Sequence, residues 1–146
     1  MKKKLLLGVV CLGILAFLVG CAGLGLKAYS QMMLEEKSLF LLKQYNKVWD
    51  NTFSQTLDPS LTAIQKDEIK AKVLAGVMTI AEVPINPNLT PEQRKIINAK
   101  KDGLARLYPL VVAFKTVVDG GGTPSAETEQ KILDLIDQLT ALGMGV

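Results

Sequence analysis

Beyond residue 27, apolar residues recur every three to four positions in four stretches, set apart by segments that carry proline or glycine. A period near 3.6 lines such residues along one side of an α-helix, whereas a half-buried strand needs strict alternation, and alternation is scarce here. Four amphipathic helices on short links bury their stripes best against one another. The expected fold is therefore all-α, an antiparallel up-down four-helix bundle spanning residues 28–146.

The first helix is expected from about Ala28 to Gln55. Leu34, Leu41, Tyr45, Val48, Thr52 and Phe53 share one arc, widened by Leu42 and Trp49, with Lys43, Lys47 and Asp50 opposite. Leu57-Asp58-Pro59-Ser60 breaks it, since proline lacks an amide hydrogen and turns its predecessor away from helical angles. A second helix is predicted over Thr62–Glu82. Thr62 and Gln65 form a capping box, Ile69, Val73, Val77 and Ile80 a buried stripe, and Glu68 with Lys72 an outer pair. A loop with two prolines follows. Thr90-Pro91-Glu92-Gln93 then combines cap, first-turn proline and box, the clearest helix start in the chain. The third helix carries Ile97, Leu104, Leu107, Val111, Phe114 and Val118. That stripe runs through Pro109, which predicts one kinked helix rather than two. Gly120-Gly121-Gly122 ends it. Thr123-Pro124 repeats the cap-then-proline start, and Ile132, Leu135, Ile136, Leu139 and Leu142 face inward on the fourth helix.

Ahead of the helices, Lys2-Lys3-Lys4 precede an uncharged apolar run, Leu5–Gly20, and then Cys21. This is the basic region, apolar region and small-residue junction of a secretory signal. The four residues Leu18-Val19-Gly20-Cys21 resemble the lipobox of bacterial lipoproteins. That resemblance covers the first 21 residues only. It implies a diacylglyceryl thioether on Cys21, cleavage of residues 1–20, and a short tether over 21–27. It also implies the periplasmic face of the outer membrane in a double-membraned host, because Ala22 stands where an Asp would hold the protein in the inner membrane. Two or three acyl chains would anchor the domain stably, whereas one binds marginally. An uncleaved membrane helix is the competing reading, since Leu5–Leu26 is long enough to span a bilayer, although its glycines count against it. Either way the domain is membrane-tethered and faces outward from the cytoplasm.

The three N-terminal lysines account for the whole net charge of +3, so the pI near 8.8 is no sign of nucleic acid binding. The basic residues of the third helix are scattered around the wheel and form no phosphate-tracking face. Their excess opposite the acidic fourth helix favours pairing of those two neighbours. With no histidine, and both cysteines in the first 21 residues, the usual nucleophile, base and zinc constellations cannot be assembled. No catalytic residue, metal site or cofactor is therefore expected. Carboxylates such as Asp134 and Asp137 project onto solvent faces.

Met33 and Phe40 are seven apart and fall on the polar side of the first helix, suggesting a second surface to be covered by a partner protein, a second copy or the membrane. The leading expectation is thus a non-enzymatic envelope adaptor working by protein contact, of a size that also suits a prophage product. The alternative is a carrier or sensor of a small apolar ligand, with Tyr45, Trp49, Tyr108 and the Pro109 kink shaping a pocket.

Overall fold

The apolar stripes become the inner faces of four helices in the computed structural model, which describes residues 28–142. They are α1 (Leu34–Phe53), α2 (Ala63–Leu74), α3 (Pro91–Asp119) and α4 (Ala126–Ala141). The fold is an all-α four-helix bundle. α3 is its central element, packing on α1, on α4 and on a 3-10 turn at Ile80–Glu82, while α1 also meets α4. Residues 28–33 lie outside the compact unit that begins at Leu34, and Tyr29–Gln31 makes a single 3-10 turn there.

The core follows the helical period closely. α1 buries Leu41, Tyr45, Val48, Trp49 and Phe53; α3 buries Ile97, Leu104, Leu107, Val111, Phe114 and Val118; α4 adds Ile132, Ile136 and Leu139. Each such side chain contributes about 1.5–3 kcal/mol by leaving water. Buried hydroxyls are satisfied locally: Thr52 Oγ1 donates to the Val48 carbonyl at 2.7 Å and Ser38 Oγ to that of Glu35 at 3.0 Å. Gly103 lets α3 approach α4 closely, for a Cβ there would collide with the Leu139 side chain.

Four boundaries or pairings differ from expectation. α1 begins at Leu34, not Ala28, because Met32 is extended (φ −73°, ψ 144°) and interrupts the chain after the 3-10 turn. α2 stops at Leu74, not Glu82. Gly76 adopts φ +72°, and the amides of Val77 and Met78 fold back onto the Lys72 carbonyl, a left-handed helix stop that glycine takes without steric cost. Val77, assigned to the buried stripe, is consequently 77% exposed, while Ile80 is buried from the 3-10 turn. α4 is capped by Ser125, which accepts from the Thr128 amide, so the Thr123-Pro124 start lies just outside the helix. The expected charge pairings are also redistributed. Lys70 of α2 reaches Asp50 of α1 at 3.1 Å, and Lys37 of α1 reaches Glu129 of α4 at 2.7 Å.

The predicted capping boxes at Thr62 and Thr90 are both formed, and α3 runs unbroken through Pro109 as one helix. The loops on either side of α2 are tied by an isolated antiparallel bridge, Leu57 to Ile85, with Asn86 N donating to Thr56 O at 2.8 Å.

Candidate functional site

Beside α3 the bundle leaves a cleft of about 310 Å³ with mostly apolar walls. Tyr45 of α1 and Tyr108 of α3 line it, their ring centroids 5.1 Å apart and tilted by 41°. Asp102, Ala105 and Pro109 follow three and four residues apart, so they form one strip of α3 along the same cleft. The opposite wall is the link from Met78 to Ala81.

That wall is held by a buried cation. Lys101 donates from Nζ to the carbonyls of Ala81 at 3.2 Å and Val83 at 2.7 Å, and burial pulls its ammonium below the usual lysine pKa. Tyr108 fixes another edge, its hydroxyl donating to the carbonyl of Leu74 at the end of α2 (3.2 Å). The cleft is thus framed by hydrogen bonds spanning 18 to 34 residues of sequence.

Two polar side chains at the cleft lack protein partners among the described residues, and one main-chain carbonyl loses its usual donor. The Asp102 carboxylate is exposed at the rim and engages no described cation. Tyr45 is only 1% exposed, yet its hydroxyl makes no hydrogen bond with a described residue; burial, then the neighbouring Tyr108, push its pKa up. Pro109 lacks the amide hydrogen that the Ala105 carbonyl would receive one turn earlier.

Of the residues expected to shape a ligand pocket, Tyr45, Tyr108 and Pro109 are brought together here. Trp49 is not. Its ring packs 4.6 Å from that of Phe53, tilted by 54°, and lines a second groove of about 270 Å³ between α1 and α2, where Lys70 lies 5.9 Å from its ring. Asp102 and Ala105 were not singled out from the sequence, although their spacing from Pro109 was visible there. The sequence periodicity runs the second helix through Met78–Ala81, where the structure instead has the link beyond the end of α2.

Met33 and Phe40 do not share a helix face. Met33 precedes α1 and is 64% exposed, whereas Phe40 lies within α1 and is half-buried. Cys21 and the rest of the N-terminal segment lie outside the described residues. Among the described residues, no helix is long and apolar enough to cross a membrane, and no group of three or more His, Cys, Asp or Glu is placed to hold a metal ion. No protein-family model, curated protein or solved structure matches the chain.

Proposed function

We propose that this chain is a membrane-tethered envelope lipoprotein whose helical domain carries or senses a small apolar ligand and performs no chemistry on it. The cleft carries the reading: two tyrosine rings and Pro109 surround about 310 Å³ of mainly apolar space beside the bundle core. That volume lies at the lower end of small-molecule sites, which are typically apolar with a few placed polar groups. Among the described residues a single carboxylate, Asp102, lines it, and acid–base catalysis ordinarily draws on a matched acid and base. The lipobox residues Leu18-Val19-Gly20-Cys21 support the tether.

Two measurements test this. Metabolic labelling with an acyl analogue should mark the protein and fail to mark Cys21→Ala; a label that persists in the variant removes the lipoprotein. The full chain, extracted from membranes, should release a low-mass ligand detectable by mass spectrometry, and Ala105→Phe, which fills the cleft, should release none. Equal release from both would defeat the carrier.

The exposure of Met33 (64%) and of Leu39 (62%) favours a second reading, an adaptor that works by protein contact or self-association. Replacing both by Gln should then weaken association in analytical ultracentrifugation or partner capture while the melting temperature stays put.

A further inference from the structure

We propose that the cleft takes a single-ring aromatic amine, its ring against Tyr45 and Tyr108 and its ammonium group at the Asp102 carboxylate. The inference rests on the carrier reading and adds the class of ligand. Size sets the first limit, since about 310 Å³ suits one ring with a short side chain rather than a fatty acid or a fused polycycle.

Electrostatics sets the second. Among the described residues lining the cleft, Asp102 alone carries a charged side chain. The nearby cations are turned elsewhere: Lys101 is spent on the carbonyls of Ala81 and Val83, and Arg106 reaches the Asp102 main-chain carbonyl at 3.4 Å. An anionic ligand would face an unscreened carboxylate, and a cationic one would be drawn to it.

Hydrogen bonding agrees. Beyond Asp102, the residues lining the cleft include Ala105, whose carbonyl loses its usual helical donor to Pro109, and Tyr45, whose hydroxyl makes no hydrogen bond with a described residue. Acceptors outnumber donors at such a site, the tyrosine hydroxyl being able to serve as either, and an ammonium brings three donors. The tilted tyrosine pair supplies ring walls, whose faces also attract a cation.

Calorimetry on the full chain in detergent, with 2-phenylethylamine, 2-phenylethanol and 3-phenylpropionate as probes, tests this. Ala105→Phe serves as the blank, and because Ala105 is exposed, the variant leaves the buried core untouched. The amine should bind about five-fold more tightly than the alcohol, the size expected of a rim-exposed ion pair, with the acid weaker than both. Asp102→Asn should level amine and alcohol, and Ala105→Phe should abolish all binding, with thermal melts verifying that both variants are folded. If amine and alcohol bind the parent alike, the amine assignment falls and the carrier stands. If no probe binds the parent beyond the blank, both fall. Amine binding that survives Ala105→Phe overturns the assignment by locating it outside the cleft.

Discussion

Tyr45 is buried and its hydroxyl makes no hydrogen bond with a described residue, an arrangement with a measurable consequence. Removing the oxygen deletes no hydrogen bond to a described residue, so Tyr45→Phe should change thermal stability by less than about 1 kcal/mol. Lys101 is the opposite case. Its ammonium satisfies two carbonyls, and Lys101→Met should cost about 1–3 kcal/mol in a denaturant melt. Burial also lowers its pKa from the ordinary 10.5. Between the lowered value and 10.5 the unfolded chain holds more protons at this site than the folded one, so its contribution to stability rises with pH there. The gap between parent and Lys101→Met should accordingly widen as pH climbs through that window. At Gly103 two effects compete. An alanine gains about 1 kcal/mol of helix propensity but meets the Leu139 side chain, and overpacking of this kind costs about 1–3 kcal/mol. Gly103→Ala should be destabilising overall, and a double-mutant cycle with Leu139→Ala should show a favourable coupling of about 0.5–1 kcal/mol, because the smaller side chain makes room.

The four helices are unequal. α2 places only Ile69 among the buried residues and leaves Ile64 73% exposed, so local devices matter more to it than packing does. Its capping box carries two of those, Gln65 N to Thr62 Oγ1 at 3.2 Å and Thr62 N to Gln65 Oε1 at 2.9 Å. Amide hydrogens of α2 should therefore exchange well before those of α1, α3 and α4. Thr62→Ala, costing about 1 kcal/mol at the cap, should speed that exchange further without shifting protection in α3. Uniform protection across all four helices would contradict this ranking. In α3, by contrast, a buried stripe of six large apolar residues runs on both sides of Pro109, which is why a residue that costs about 3 kcal/mol in an isolated helix interior does not divide this one.

At the scale of the molecule, the bundle gathers its core from α1, α3 and α4 within the unit that begins at Leu34. A fragment of residues 34–146 should show a helical circular dichroism spectrum and a cooperative melt, unchanged by a chelator. A strand-dominated spectrum, or unfolding on chelation, would refute it. Lipidation at Cys21 would add a membrane address to this domain without altering its melt, which a comparison of the fragment with the extracted full chain can measure.

The sequence by itself determined the helices and their inward faces. Helical period and apolar burial are properties of residues three and four apart, so Ile97, Leu104, Leu107, Val111, Phe114 and Val118 could be assigned to the core before any tertiary contact was known. The caps at Thr62 and Thr90 were legible for the same reason, each being complete within four residues. Gly76 ended α2 early because a left-handed stop competes with continuing periodicity, and the stripe at Val77 and Ile80 masked it. The cleft was legible in part. Tyr45, Tyr108 and Pro109 carried an aromatic and kink signal, but Trp49 turned to another groove through its packing against Phe53. What only the tertiary structure decided was the wall that makes a cleft of them. The link at Ile80–Glu82 stands there because Lys101 binds the carbonyls of Ala81 and Val83 across 18 to 20 residues, and no local pattern encodes a contact between a lysine and main-chain oxygens that distant.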